Sequence, residues 1–297
     1  LQELQNIWKR RVKAYRCSRK MKIAVLSDNR AEGGLLEPEH GLSLYLETAQ
    51  FSCLLDVGAS DRFIRNAEKM NIDIRAVDFV FISHGHMDHI GGLPTFLEFN
   101  KTAPVYLSEN LLSQIYYSER NGFHRISLDV DLTPYEGRFV NVGPGIVFSH
   151  ELTLSMASSR QYPCPKANQT LYKDAGEGIV PDDFNHEIIF AFGSEQLFVY
   201  SGCAHRGLLN ILDSVRLSTG KKVGTVMGGF HLLDSEKGRP YESPDEIDSI
   251  ASALKTNYPE TNFITGHCTG EKVYERFRNQ LGNQLNRFYT GYTTIIE

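Results

Sequence analysis

The residues of this chain best suited to chemistry are three histidines and one aspartate that lie within six positions of one another. They are His84, His86, Asp88 and His89 in the string HGHMDH, and the whole chain of 297 residues has only ten histidines. Two imidazoles two positions apart on a bent loop can direct their ring nitrogens at one divalent cation, which takes nitrogen ligands at about 2.0–2.1 Å. Asp88 and His89 would then face a second position. A solvated polar loop would rarely gather so many histidines, so the string predicts a site for one or two metal ions.

An apolar run directly before this loop must position it. Residues 76–83 read as a buried strand because their apolar side chains are almost continuous. Three later strand-like runs also stop beside a histidine: QLFVYSGCA before His205, KVGTVMGGF before His231 and NFITG before His267. A site built where several strands end is expected at the edge of a pair of sheets.

Hairpins and helices are predicted between these strands. Alternating apolar residues predict a hairpin of LSLYLE with FSCLLD and a second one of HEIIFAF with QLFVYS. Residues 61–72 read as a helix, and another helix follows Arg206. Ser243, Pro244 and Glu246 form a capping box with proline at the first helical position, which predicts a helix beginning there.

The string HGHMDH resembles the HxHxDH signature of the metallo-β-lactamase superfamily. Further strings resemble one branch of that superfamily, whose named activity is that of a pterin transferase: EHGLS at 39–43, LLDVGAS at 54–60, SGCAHRGLLNI at 201–211, GGFHLL at 228–233 and GHCTG at 266–270. The resemblance runs from about Met21 to the end of the chain. It implies an α/β (α+β) fold, a four-layer αββα sandwich in which helices flank two mixed sheets and metal ions bind at the sheet edges.

The same resemblance implies further metal ligands. In the superfamily one histidine comes from the start of a hairpin, which His186 matches, and a last histidine follows a later strand, which His267 matches. Cys203 stands where a bridging aspartate usually falls, and His205 follows two residues later. A thiolate and an imidazole both bind divalent cations, so Cys203 and His205 are both candidate ligands. Without a bridging carboxylate, the number of bound metal ions stays open.

Three further residues take supporting roles by resemblance. Asp56 is expected to hold a ligating histidine in place, and the alternative is an aspartate that only ends a strand. His40 is expected on the substrate side of the site, or else as an ordinary loop histidine. His231 is expected to contact substrate or phosphate, and the alternative is a packed histidine.

Length, composition and charge indicate the domain organisation, the partners and the cellular location to expect. We expect a basic extension at residues 1–20, one domain over residues 21–297 and a loop-rich lid at about 116–180. A net charge of −5 gives no argument for nucleic acid or an anionic membrane as a partner. Five irregularly spaced cysteines, no long apolar run and no secretory signal favour the cytoplasm.

The chemistry expected of such a site is that of a metal-dependent hydrolase or transferase. A metal-activated water, or the Lewis acidity of the metal itself, would act on a small phosphorylated or ester-like substrate, with Asp88 orienting the water and relaying protons. Zinc is the expected cation, with manganese and iron as alternatives. Two other readings stay open: an iron-dependent oxidoreductase or sulfur-handling protein of the same fold, and a metal-binding sensor without catalysis.

Overall fold

A computed structural model describes residues 20–109, 111–143, 146–147 and 151–297. The helices are α1 (Arg62–Lys69), α2 (Met87–Ile90), α3 (Leu93–Phe99), α4 (Leu208–Thr219), α5 (Pro244–Asn257) and α6 (Glu271–Leu281). The strands are β1 (Met21–Ser27), β2 (Ser43–Glu47), β3 (Ser52–Leu55), β4 (Phe79–Phe81), β5 (Val105–Ser108), β6 (Tyr116–Ser118), β7 (His124–Arg125), β8 (Phe139–Val142), β9 (Ile146–Val147), β10 (Leu152–Met156), β11 (Leu171–Asp174), β12 (Ile179–Pro181), β13 (Ile188–Phe192), β14 (Gln196–Tyr200), β15 (Lys222–Gly228), β16 (Asn262–Thr265), β17 (Leu285–Arg287) and β18 (Thr293–Ile296).

The first large sheet has the strand order β18-β1-β2-β3-β4-β5-β8. Strands β2 and β3 pair antiparallel, with Leu44 opposite Leu55 and Leu46 opposite Cys53, so the first predicted hairpin is confirmed. From β3 through β4 and β5 to β8 the strands run parallel. Strand β4 is the buried run that leads into the HGHMDH loop.

The second large sheet has the order β17-β16-β15-β14-β13-β10-β9. Strands β13 and β14 pair antiparallel, as predicted, with Phe190 opposite Tyr200. Strands β14, β15, β16 and β17 are parallel. The carboxyl ends of parallel strands meet at one edge of a sheet, so the loops after β14, β15 and β16 are brought together there.

Three clusters of buried apolar side chains separate four layers. One lies between the two sheets and includes Phe81, Phe190 and Tyr200. A second contains apolar residues of the second sheet and of helices α4, α5 and α6, and a third contains those of the first sheet and of α1 and α3. The molecule is therefore the αββα sandwich that the sequence predicts.

The stretch 116–180 differs from the expected loop-rich lid. It contains strands β6 to β12, of which β8 extends the first sheet and β9 and β10 extend the second. The others form a small four-stranded sheet in the order β12-β11-β6-β7. These strands are only two to five residues long and lie between turn residues, so they show no sustained hydrophobic period in the sequence. A lid function for this region stays a prediction.

Some expectations for the whole chain are left untested. The basic extension lies outside the described residues except for Lys20. A single domain over residues 21–297 and a cytoplasmic location stay predictions. In the described part of the chain, no helix combines the length and apolar character needed to cross a membrane.

Candidate metal centre

The site lies where strands of both sheets end. The loop after β4 carries His84, His86, Asp88 and His89, and the loop after β14 carries Cys203 and His205. The loops after β15 and β16 carry His231 and His267. Histidines 84, 89 and 205 are fully buried, while His86 and His267 are 4% and 5% exposed. Residues far apart in the sequence thus share one protected space.

The backbone around this space is unusually strained. Asp56, Ala204, His231 and His267 have φ angles of 58°, 57°, 48° and 51°. Left-handed conformations of non-glycine residues cost of order 1–3 kcal/mol each and persist where the surrounding structure imposes them. Such strain at four neighbouring loops is typical of a functional site.

One group of candidate ligands contains His84, Cys203 and His205. Their ligand atoms all lie within 4.8 Å of one another, and Nε2 of His84 is 3.2 Å from Nε2 of His205. The His86 ring lies beside this group, with its centroid 4.6 Å from that of His84 and 4.9 Å from that of His205. The structure therefore brings His86 close to both.

A second group contains Asp88, His89, Cys203 and His267, again within 4.8 Å of one another. Nε2 of His89 lies 3.2 Å from Nε2 of His267 and 3.1 Å from the Cys203 sulfur. Oδ2 of Asp88 is 3.1 Å from Nε2 of His267. Cys203 belongs to both groups, in the position where the superfamily usually has a bridging aspartate.

Asp56 fixes the orientation of two of these histidines. Its carboxylate accepts hydrogen bonds from Nδ1 of His89, from the Ser83 backbone and hydroxyl, and from the Tyr200 hydroxyl, each at 2.6 Å. Because the Ser83 hydroxyl donates to Asp56, its oxygen accepts from Nδ1 of His84 at 2.9 Å. Both rings therefore hold their proton on Nδ1, and Nε2 keeps a free lone pair. This arrangement supports the role expected of Asp56.

Two asparagines that the sequence did not single out do the same for the other two histidines. Asn168 donates to the His205 carbonyl at 2.7 Å, and its oxygen lies 3.1 Å from Nδ1 of the same residue. Asn29 donates to the His267 carbonyl at 2.9 Å, and its oxygen lies 3.2 Å from Nδ1 of that ring. Each asparagine therefore turns Nε2 of its histidine towards the site.

The donor set fits one or two divalent cations. Burial lowers the pKa of His84 and His205 well below the ordinary value, so both rings stay neutral. Two Nε2 lone pairs facing each other at 3.2 Å repel unless a cation lies between them. Ligands at about 2.0–2.3 Å from a tetrahedral cation lie roughly 3.3–3.8 Å apart, close to the separations observed here.

His186 lies beside the loop rather than among these ligands. Its Nδ1 accepts the Gly85 backbone N–H at 3.0 Å, so its Nε2 donates to Asp182 at 3.0 Å. Both ring nitrogens are thus engaged, but His86, Asp182 and His186 also have ligand atoms within 4.8 Å of one another, so ligation by His186 stays a prediction. The Asp182 carboxylate also lies 3.8 Å from Nε2 of His86. Asp182 can therefore orient the His86 ring, leaving Nδ1 for a metal ion.

His40 and His231 occupy different surroundings. His40 is largely exposed, stacks on the His267 ring at 5.3 Å and places Nε2 3.6 Å from Oδ2 of Asp88. His231 is only 3% exposed and its ring lies 4.1 Å from that of His205. The position of His40 supports substrate contact, whereas the burial of His231 argues against contact with any but a very small ligand.

Sequence reasoning also missed Glu187. Its two carboxylate oxygens accept the backbone N–H groups of His205 and Arg206 at 2.7 and 2.9 Å, which holds the loop that carries Cys203. The available signal was an acidic residue next to His186 at the start of an otherwise apolar strand. Such a buried carboxylate requires partners, and the nearest unpaired donors are those of a neighbouring loop.

Comparison with known proteins agrees with this geometry. The sequence model of the metallo-beta-lactamase superfamily matches residues 36–163. The fold matches the structure of YhfI from Bacillus subtilis, described as a metallo-beta-lactamase fold protein, with a TM-score of 0.56 at 12% identity over 93% of this chain and all of that one. The chain therefore has the metallo-β-lactamase fold, and residues 36–163 are similar in sequence to that superfamily.

Two other proteins are more similar to this chain than YhfI is. The 7,8-dihydropterin-6-methyl-4-(β-D-ribofuranosyl)-aminobenzene-5'-phosphate synthase of Methanocaldococcus jannaschii is 29% identical over 271 residues, which are 85% of this chain and 88% of the relative. The crystal structure of Tm1679, described as a metal-dependent hydrolase of the beta-lactamase superfamily, has a TM-score of 0.76 and 28% identity. That alignment covers 92% of this chain and 98% of Tm1679.

Proposed function

We propose that this protein is a metal-dependent hydrolase or transferase that acts on a small phosphorylated or ester-like molecule. The observation that carries the proposal is the set of four histidines whose Nδ1 atoms are held by protein oxygens and whose Nε2 atoms converge. The finer proposal, transfer to a pterin, rests on the activity for which the Methanocaldococcus relative is named.

Zinc is the cation that this donor set favours. Imidazole nitrogens with a cysteine sulfur suit zinc, whereas manganese prefers sites built from oxygen ligands. The presence of Cys203 in both ligand groups therefore argues for zinc over manganese. Iron also binds imidazole and thiolate, and it would favour the oxidoreductase reading.

The residues of the chain would divide the work as follows. A bound divalent cation supplies Lewis acidity, which lowers the pKa of water and polarises phosphoryl and carbonyl oxygens. Oδ2 of Asp88 orients the attacking group and accepts its proton. From there Nε2 of His40, which lies 3.6 Å away on a largely exposed ring, can carry the proton to solvent.

Metal analysis and turnover together test the proposal. Protein purified without added ions should contain zinc and should turn over at least one of a panel of phosphodiesters, lactones, thioesters and a pterin diphosphate. His86→Ala should remove turnover and the metal bound at the histidine centre, whereas the control His124→Ala, at an exposed position of β7, should keep both.

Other results would point elsewhere. Iron in place of zinc would favour the oxidoreductase or sulfur-handling reading. Bound metal without turnover of any substrate in the panel would favour a sensor. Turnover that survives His86→Ala would refute the mechanism.

A further inference from the structure

A second cluster of metal-binding side chains adjoins the histidine centre. The cysteine sulfurs of Cys203 and Cys268 and a ring nitrogen of His231 lie within 4.8 Å of one another. These residues follow β14, β16 and β15, so each comes from a different loop. All three are buried, with exposed fractions of 2%, 8% and 3%.

The hydrogen bonding of His231 is a further reason to expect a ligand here. Neither of its ring nitrogens has a hydrogen-bond partner among the described residues, although the side chain is almost fully buried. A buried polar group left without a partner costs about 1–3 kcal/mol. The chain also holds this residue in a left-handed conformation, at a φ of 48°. Both costs are explained if a ligand binds the imidazole.

The backbone is shaped around the Cys268 sulfur. The backbone N–H of His231 donates to this sulfur at 3.3 Å. A Cβ atom added at Gly229 would lie 2.3 Å from the same sulfur, so only glycine fits there. The loop after β15 therefore holds Cys268 in a fixed position beside His231.

We propose that Cys203, His231 and Cys268 form a separate thiolate and imidazole site for Zn²⁺. Two cysteine sulfurs with one imidazole are a ligand set that zinc accepts, with water or a substrate atom in a fourth position. Binding converts the two thiols to thiolates and releases their protons to solvent. Cys203 would bridge this ion and the histidine centre, so the inference goes beyond the proposed catalytic site and shares one residue with it.

Cobalt titration tests this site. Metal-free protein, kept reduced, is titrated with Co²⁺ while bound cobalt and near-ultraviolet thiolate-to-cobalt absorbance are measured. Cys268→Ser and His231→Asn should each bind one cobalt ion fewer than the unchanged protein, and Cys268→Ser should lose part of the absorbance. Asparagine is chosen at 231 because it tolerates the left-handed backbone.

Controls separate this site from the histidine centre. Cys164→Ser, at an exposed cysteine, should bind as much cobalt as the unchanged protein. His86→Ala should reduce cobalt binding at the histidine centre yet keep the part of the absorbance that depends on Cys268. Failure of the proposed function would therefore leave the Cys268 signal intact.

A measurement on the unchanged protein guards against unfolded variants. Zn²⁺ should protect Cys268 from alkylation, as read by mass spectrometry of the labelled peptide. Equal cobalt binding and absorbance in the unchanged protein, Cys268→Ser and His231→Asn would overturn the proposal. Alkylation of Cys268 at the same rate with and without Zn²⁺ would also overturn it. A third contrary result would be a Cys203–Cys268 disulfide whose reduction does not allow the protein to bind the extra ion.

Discussion

The Asp56 side chain illustrates how much one buried carboxylate can organise. It accepts four hydrogen bonds. One comes from the His89 ring itself, and another comes from the Ser83 hydroxyl, which in turn accepts from the His84 ring. The resemblance to the superfamily predicted that Asp56 would support a histidine. It did not predict the contact with Tyr200, which comes from the other sheet.

Replacing Asp56 with asparagine should damage both stability and metal binding. An amide has only one acceptor oxygen. Its NH₂ group would therefore face N–H or O–H donors that bind a carboxylate oxygen in the unchanged protein. We expect a loss of at least about 2 kcal/mol in the free energy of unfolding and a 10–100-fold loss in zinc affinity. Urea unfolding and competition with a zinc-binding dye measure the two effects. The exposed residue Glu177 provides the control, since Glu177→Gln should change neither quantity.

Proton release on metal binding should follow the state of His267. Burial lowers the pKa of His267, but the hydrogen bond with Asp88 outweighs it and raises this pKa to about 9. In the metal-free protein the ring therefore holds a proton on Nε2 below that pH, and a cation must displace it. The stability from this pair is fully present below pH 6.5 and is lost as the pH rises through about 9.

Calorimetry in buffers of different ionisation enthalpy checks this expectation. Between pH 7 and 8 zinc binding should release a proton from His267 in addition to the thiol protons, and the His267 contribution should vanish above about pH 9. The variant His267→Asn should lack this contribution. The same proton release in that variant would contradict the assignment.

Strands and helices with a regular hydrophobic pattern were predicted correctly, whereas those without such a pattern were not. The hairpins β2–β3 and β13–β14 were predicted because their apolar residues alternate. The helix expected over 61–72 ends earlier, at Lys69, because Asn71 takes a left-handed conformation. The short strands between 116 and 180 escaped prediction because they have only two to five residues, and some of them, such as β10 with β13, pair with strands distant in the sequence.

Supporting residues of the site were also beyond sequence reasoning. Asn29 and Asn168 lie far from the histidines that they orient, and an asparagine in a loop normally indicates a turn. Asp182 and Glu187 were not singled out in the sequence, yet both are buried and accept hydrogen bonds. The candidate ligands can be recognised from short sequence motifs. The residues that orient them are distant in the sequence and become neighbours only in the folded protein.

Helix α5 allows a prediction about stability alone. The Ser243 hydroxyl accepts the Glu246 backbone N–H and the Glu246 carboxylate accepts the Ser243 N–H, which completes the predicted capping box. Ser243→Ala should lower the free energy of unfolding by about 0.5–2 kcal/mol. Ser249→Ala, within the same helix, is the matched control and should cost less. Zinc content should be unchanged in both, and a loss of metal from Ser243→Ala would show that the helix does more than support the fold.

For the whole molecule, the metal centre joins the two sheets. The HGHMDH loop follows a strand of the first sheet, and Cys203, His205 and His267 follow strands of the second. A cation bound by both sets would therefore stabilise the folded protein against separation of its halves. Binding at a free cation concentration of 100 times the dissociation constant adds about 2.7 kcal/mol.

Removal of metal should accordingly lower the melting temperature by several degrees. Differential scanning calorimetry of the protein with and without a chelator measures the change, and zinc added back should reverse it. In His86→Ala the chelator should have a smaller effect. Equal melting temperatures with and without metal would mean that the ion does not hold the sheets together.

The Cys203 sulfur belongs to both ligand groups of the histidine centre and also to the group with His231 and Cys268. Peroxide can oxidise a thiolate in this place to a sulfenic acid, which the nearby Cys268 thiol can convert to a disulfide, and further to a sulfinic acid that ordinary reductants do not restore. Oxidation of this one atom would therefore disturb every metal position that it serves, and protein handled anaerobically should retain more zinc than protein treated with peroxide.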